Sequence, residues 1–191
     1  MRKMNVFSSI SETYKRWRHS RGFGVHSPFA YDLVKSVVSP GNYAYYGYWD
    51  IDKAILSPKA NDYPALRKDA RLLLRLLVWL NSTRLLIYPP QQIVFSSVAT
   101  AAGVKSTDIS NLKTLKPDTG DLLVISGKSP RDGETARIIK EGTAAIAYDP
   151  SQRLRKEITE AMSNGLILEG IRILLAIPRP QMALTSYSIK F

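Results

Sequence analysis

The fold is constrained most strongly by the regular alternation of short apolar runs and helical segments that begins after residue 81. Five runs have the length and composition of strands, at residues 84–88, 121–126, 143–148, 171–177 and 186–191. Helical periodicity lies between them at residues 91–102, 134–140 and 152–164, the last with Ser151 as its predicted N-cap. Strands that alternate with helices are typical of an α/β protein with a largely parallel sheet.

The end of the chain departs from that alternation. The link between the last two predicted strands, which contains Pro178 and Pro180, leaves no room for a substantial helix. A parallel connection needs a crossover of about a dozen residues or more, whereas an antiparallel connection does not. We therefore expect the last two strands to form an antiparallel C-terminal pair.

The part of the chain before residue 82 is predicted to be helical. Residues 4–17 have apolar side chains at helical spacing, and Ser27 with Pro28 supplies an N-cap followed by a proline at the first helical position. Residues 63–81 form the strongest amphipathic pattern in the chain, with leucines on one face. We predict a helical and aromatic N-terminal extension over residues 1–62, packed as one unit with an α/β domain over residues 63–191.

Composition excludes several classes of protein. The 191 residues are 45% hydrophobic, which is enough to build one core. There is no cysteine, so disulfides, thiolate metal sites and cysteine nucleophiles are excluded, and only His19 and His26 offer imidazole. We therefore expect no metal site. No apolar run approaches the roughly 20 residues that cross a bilayer, and no secretion signal is recognisable, so a cytoplasmic protein without membrane association is predicted.

The net charge of +11 is concentrated in the front half of the chain. Residues 1–84 contain 14 basic and 6 acidic residues, whereas residues 85–191 contain 13 and 10. Six arginines form the candidate anion-binding or partner-binding surface: Arg16, Arg18, Arg21, Arg67, Arg71 and Arg75. Such a surface suits a protein partner, a second copy of the chain or nucleic acid, of which nucleic acid is the less favoured. The alternative is a solvated helix face neutralised by carboxylates such as Asp62 or Asp69.

One segment carries a resemblance to a known family. Residues 21–29 read Arg-Gly-Phe-Gly-Val-His-Ser-Pro-Phe and are followed by the tyrosine-rich residues 42–49 and the basic helix of residues 63–81. This resembles the N-terminal signature of bacterial proteins with the class I S-adenosylmethionine-dependent methyltransferase fold. The resemblance implies a Rossmann-like sheet that ends in antiparallel strands, S-adenosylmethionine as the cofactor, and methyl transfer to oxygen or nitrogen.

The sequence departs from that family where the cofactor should bind. The family's first strand ends in an acidic residue and a glycine-rich turn, whereas this chain reads Tyr88-Pro89-Pro90-Gln91. Proline has no N–H to donate and carries a ring where the ligand needs close approach. The 18 residues of 103–120 are also too few for the family's strand, helix and strand, since a βαβ unit needs about 30 residues. We expect a reduced number of strands and the loss of the carboxylate that binds the cofactor ribose.

The resemblance leaves three candidate pocket residues at predicted strand ends, which are Tyr88, Ser126 and Asp149. Asp149 and His26 are the candidate catalytic residues. The alternative for Asp149 is a turn or helix cap, and the alternative for His26 is a hydrogen-bonded histidine that fixes the glycine turn.

Three functions follow from these observations. The leading one is a methyltransferase-like protein that has lost its cofactor chemistry and acts by binding an unidentified ligand or partner. The second is an active, diverged methyltransferase that uses S-adenosylmethionine, and the third is a module that binds RNA or another anion.

Overall fold

The computed structural model describes residues 6–41, 45–56, 67–118, 120–126, 130–131 and 133–191. These residues form an α/β structure in which helices cover both faces of one mixed sheet. The helices are α1 (Val6–Ser20), α2 (Pro28–Leu33, continued by a π-helical turn at Val34–Val38), α3 (Gly47–Ile55), α4 (Arg67–Trp79), α5 (Ile93–Ala101), α6 (Glu134–Lys140) and α7 (Gln152–Ala161). The strands are β1 (Arg84–Tyr88), β2 (Lys105–Asp108), β3 (Asp121–Ser126), β4 (Ala144–Tyr148), β5 (Asn164–Glu169), β6 (Ile173–Ala183) and β7 (Thr185–Ser188). Among the described residues, no helix combines the length and the apolar content needed to cross a lipid bilayer.

The seven strands lie in the order β2-β1-β3-β4-β6-β5-β7. Strand β6 runs antiparallel to both of its neighbours, β4 and β5, and the remaining ladders are parallel. The parallel strands β1, β3 and β4 therefore all end at the same edge of the sheet, called here the carboxyl edge. In open α/β sheets, that edge is where ligands bind.

Two strands were not predicted. Strand β2 lies within residues 103–120, so the described sheet contains seven strands and the expected reduction in strand number is wrong. Its sequence, Lys-Ser-Thr-Asp, is largely exposed at the sheet edge and offers no apolar run to detect. Strand β5 lies between the predicted helix of residues 152–164 and the predicted strand of residues 171–177, and α7 ends at Ala161, three residues before the predicted end.

Because β5 was not predicted, the predicted pairing of the last two strands is also wrong. Strands β6 and β7 are not paired with each other, because β5 lies between them. The antiparallel C-terminal pair is formed by β5 and β6, and β7 runs parallel to β5. Gly165 makes the close approach possible: it has a φ of +108°, and a side chain there would collide with the Ile177 carbonyl.

The first face of the sheet is covered by the N-terminal helices together with α4 and α5. Leu33 and Ile51 of the N-terminal segment lie in the same buried cluster as Leu77 of α4 and Ile87 of β1. All four are fully buried, and burial of such a side chain contributes about 1.5–3 kcal/mol. The N-terminal segment and the sheet therefore share one core.

The second face is covered by α6 and α7. Ile138 and Ile158 pack there against Leu123 and Ala147 of the sheet. Both predicted serine caps are confirmed: the Ser27 hydroxyl accepts a hydrogen bond from the Ala30 N–H at 3.3 Å, and the Ser151 hydroxyl accepts from the Leu154 N–H at 3.2 Å. These bonds satisfy N–H groups that a helix start leaves without a partner.

An ion pair joins β1 and β3 at the edge opposite the carboxyl edge. The Arg84 guanidinium donates to both carboxylate oxygens of Asp121, at 3.0 and 2.6 Å, and the Asp121 side chain is 1% exposed. The hydrogen bond to Asp121 raises the pKa of Arg84 above its ordinary value, more than burial lowers it. The pair links two strands whose paired residues begin at these positions.

Candidate functional site

The three candidate pocket residues lie at the carboxyl edge on neighbouring strands. Tyr88 ends β1 and is paired with Ile125, while Ser126 ends β3 and is paired with Tyr148, the residue before Asp149. Tyr88 is half-buried and Ser126 is 2% exposed. The structure therefore places all three residues at the edge where the sequence predicted them.

The turn between β1 and α5 is held by a carboxylate from β2. The Tyr88–Pro89 peptide bond is cis, and Gln91 has a left-handed backbone with a φ of 68°. The backbone N–H of Gln91 donates to the Asp108 carboxylate at 3.1 Å. Sequence reasoning expected neither a strand here nor an acid at its end, and both are present. Nothing in the short polar run before Asp108 distinguishes it from a surface loop.

Asp149 is engaged by an arginine from the turn between β5 and β6. Arg172 donates from Nε to Oδ1 at 3.0 Å and from Nη2 to Oδ2 at 2.9 Å, and the Asp149 N–H donates to the Arg172 carbonyl at 2.6 Å. The third nitrogen of the guanidinium, Nη1, lies 3.4 Å from a carboxylate oxygen of Asp69, whose side chain is 3% exposed. Bidentate contacts of this kind fix geometry strongly. Arg172 thus joins the end of β4 to the first turn of α4.

Two aromatic rings are buried next to this ion-pair network. Tyr148 is 1% exposed, and its ring stacks on that of Phe95 with a centroid distance of 5.4 Å and an angle of 20° between the planes. The Tyr148 hydroxyl donates to the Asp69 carbonyl at 3.1 Å. The Ser126 hydroxyl is buried and has no hydrogen-bond partner among the described residues. Two stacked aromatic rings are therefore buried between the carboxyl edge and α5.

The two histidines differ in exposure and in contacts. His26 is exposed. His19 reaches the last strand instead: its Nδ1 lies 3.0 Å from the Ser188 carbonyl oxygen, and its ring meets that of Tyr187 edge-on at 5.6 Å. A carbonyl can only accept, so Nδ1 carries the proton. His19 also lies beneath Gly24, 3.6 Å from the position of a Cβ. The glycine turn itself is held by backbone hydrogen bonds, from the Gly22 N–H to the His19 carbonyl at 2.9 Å and from the Val25 N–H to the Gly22 carbonyl at 3.3 Å.

The arginines of α4 make contacts within the protein. Arg71 and Arg67 lie 2.6 and 3.1 Å from the Asp52 carboxylate of α3. Arg75 donates to the Val37 carbonyl and to the Tyr48 hydroxyl, both at 2.7 Å. Asp52 is therefore the carboxylate that pairs with Arg67 and Arg71, whereas Arg75 donates to two neutral groups. Of the two acids predicted for that role, Asp69 lies by Arg172 and Asp62 lies outside the described residues.

The three arginines of α1 and the following turn are divided between two environments. The Arg18 guanidinium lies 5.9 Å from the ring centre of Tyr14, and that of Arg21 lies 4.6 Å from the ring centre of Trp17. Both rings are partly exposed. Arg16 instead lines a cavity of about 240 Å³ that is bounded by α1, the first turn of α4 and residues 171–173 and 189–191.

No group of three or more metal-ligating side chains lies together in the part of the chain that the structure describes. The candidate site consists of the contacts of Asp108 and Asp149 at the carboxyl edge and the nearby cavity that Arg16 lines.

A scan against protein-family models and searches of curated proteins and of solved structures found no match to this chain.

Proposed function

We propose that this chain is a methyltransferase-like protein that does not catalyse methyl transfer and acts by binding. Its fold is proposed to be a Rossmann-like sheet of the class I methyltransferase type with a helical N-terminal extension. The parallel strands β1, β3 and β4 followed by the antiparallel β6 support that assignment, since the resemblance of residues 21–29 implies a sheet with this kind of ending. Fold alone does not carry an activity, so the function is argued from the carboxyl edge.

The turn after β1 carries the proposal. S-adenosylmethionine in its usual pose requires bare backbone and donor N–H groups at a helix start. Pro89 and Pro90 have no N–H, and the N–H of Gln91 is used by Asp108. These residues do not fit the cofactor in that pose. The polar groups of the turn instead hold the turn itself in place.

Asp149, the candidate catalytic carboxylate, supports the same conclusion. A general base must present a carboxylate oxygen to the proton that it removes. Both oxygens of Asp149 accept hydrogen bonds from Arg172, which also lies beside the buried Asp69. Asp149 thus serves to connect β4, α4 and the β5–β6 turn. His26, the second catalytic candidate, lies at the surface.

One observation favours the alternative of an active, diverged methyltransferase. Asp108 ends β2 beside β1, which is the position at which the family's ribose-binding carboxylate is expected. If Gln91 moved away, this carboxylate would face a ligand at the carboxyl edge. The alternative therefore predicts that S-adenosylmethionine binding depends on Asp108.

The proposal is tested by incubating the purified protein with S-adenosylmethionine labelled on its methyl group and a panel of hydroxyl and amine acceptors. We expect no transfer above the protein-free background, and the same result for the natural chain and for Asp149→Asn. Transfer above background by the natural chain would overturn the proposal, and its loss in Asp149→Asn would identify Asp149 as a catalytic residue.

A further inference from the structure

The cavity beside Arg16 has a cationic rim that is only partly neutralised. Arg16, Lys68, Arg172 and Lys190 line it, and the one acidic side chain among the described lining residues is Asp69, which lies by Arg172. Neither Lys68 nor Lys190 forms an ion pair with a described residue. The nearest carboxylate to Arg16 is that of the exposed Glu12 at 3.9 Å, a pair of the kind that contributes little. Among the described side chains, the rim therefore carries more positive than negative charge.

Arg16 contributes one of the guanidinium groups of this rim. Its side chain lines the cavity and is 27% exposed, so a ligand in the cavity can reach part of it, although its Nε is buried without a hydrogen-bond partner among the described residues. A guanidinium carries its positive charge at any pH at which the protein is folded, which favours an anionic ligand.

The rest of the cavity wall is apolar. Ile173 and Ile189 border the cavity at 1% and 0% exposure, so almost none of their surface is left for a ligand to cover. Ile171 is 77% exposed and belongs to the same lining. A branched apolar side chain this exposed gains nothing from water, whereas it would gain from covering an apolar ligand. Apolar walls with a few placed polar groups are typical of small-molecule sites.

We propose that this cavity binds a small organic anion, with a carboxylate or phosphate head at Arg16, Lys68 and Lys190 and an apolar body against Ile171. The cavity has a volume of about 240 Å³, which leaves room for a ligand larger than a single water molecule or inorganic ion. The anionic head accounts for the excess of cations at the rim, and the apolar body accounts for the exposed Ile171.

The inference deepens the proposed binding function by naming a ligand class, and it rests on that function. Its residues do not include Tyr88, Asp108, Ser126 or Asp149. An active methyltransferase could therefore still bind an anion here, and a protein without methyltransferase activity could lack this site. The methyl-transfer assay tests the proposed function, and the anion titrations described next test the cavity.

Four probes that each contain eight carbon atoms test the proposal by isothermal titration with the full chain: octanoate, octyl phosphate, octanol and octylamine. We expect saturable binding of octanoate, octyl phosphate or both, at least tenfold weaker binding of octanol, and none of octylamine. The preferred anion identifies the head group as carboxylate or phosphate. Equal binding of octanol and the anions, or no saturable binding of either anion, would overturn the proposal.

Two pairs of variants tie binding to this cavity. Arg16→Gln should weaken anion binding at least tenfold, while Lys113→Gln, an exposed cation on the other side of the sheet, should leave it unchanged. Ile171→Glu should also weaken it at least tenfold, whereas Val78→Glu should not. Val78 is 51% exposed and lies about 15 Å along α4 from Lys68. If each control lowered affinity as much as its partner, the anion would be bound through net charge alone and the assignment would be wrong.

Discussion

Substitution of Arg172 by methionine tests whether the ion-pair network at the carboxyl edge is structural. The contact with Asp149 joins side chains that are 34% and 42% exposed, so its loss should cost only about 0.5–1 kcal/mol. The contact with Asp69 is different, because that carboxylate is 3% exposed and would lose a nearby cation. Breaking a buried pair costs about 3–5 kcal/mol, which we reduce to about 2 kcal/mol for the partly exposed guanidinium and the 3.4 Å separation.

Arg172→Met should therefore lower the free energy of unfolding by about 2–3 kcal/mol, whereas Asp149→Asn should lower it by less than about 1 kcal/mol. Urea unfolding followed by circular dichroism measures both. With a slope of about 2 kcal/mol per molar, the midpoint should fall by about 1 M or more for Arg172→Met. The double variant Arg172→Met/Asp69→Asn should recover part of the loss, because the buried negative charge is removed together with its nearby cation.

Equal losses for Arg172→Met and Asp149→Asn would refute this reasoning. So would a loss below about 0.5 kcal/mol for Arg172→Met, the range of an ordinary surface substitution. In either case, burial of the Asp69 carboxylate would not depend on the charge of Arg172. The role assigned to Asp149, that of connecting β4 to α4 and the β5–β6 turn, would then have no support.

Three further predictions concern packing and charge elsewhere in the fold. Phe95→Ala should lower the free energy of unfolding by about 3–5 kcal/mol in the same urea assay, because the ring is 1% exposed and stacked in the core. Arg75→Met should cost about 1–2 kcal/mol through two lost hydrogen bonds, and the more exposed Arg67→Met less than about 0.5 kcal/mol, so equal losses would contradict the contacts described. Since the folded-state pKa of Arg84 is raised, its stabilisation is complete below the ordinary arginine pKa and is lost only as pH rises through the raised value. The stability difference between the natural chain and Arg84→Met should therefore stay constant from about pH 7 to about pH 10, and a decline within that range would contradict the pairing.

The buried part of the sheet could be predicted from the sequence because its physical signals are local. Strands β1 and β3 and helix α6 lie within the predicted bounds, since their apolar runs are buried and flanked by residues that break regular structure. Strand β2 could not be found in this way, because an exposed polar strand is stabilised by its neighbour rather than by its own side chains.

The candidate site was only partly predictable. The strand ends were placed correctly because the position of a strand end depends on the strand alone. The partners of those residues come from distant segments: Arg172 reaches Asp149 across 23 residues, and Tyr148 reaches Asp69 across 79. The cavity beside Arg16 is built from four segments of the chain. Contacts of this kind are set by the topology of the whole sheet, which no local pattern in the sequence contains.

The most direct test of the central claim is isothermal titration of the natural chain with S-adenosylmethionine and S-adenosylhomocysteine. Because the turn after β1 offers no free backbone donor at Pro89, Pro90 or Gln91, we predict no binding tighter than about 1 mM, or about −4.1 kcal/mol. A dissociation constant below about 100 μM, which corresponds to about −5.5 kcal/mol and which Asp108→Asn removes, would contradict the account and establish a cofactor site at the carboxyl edge.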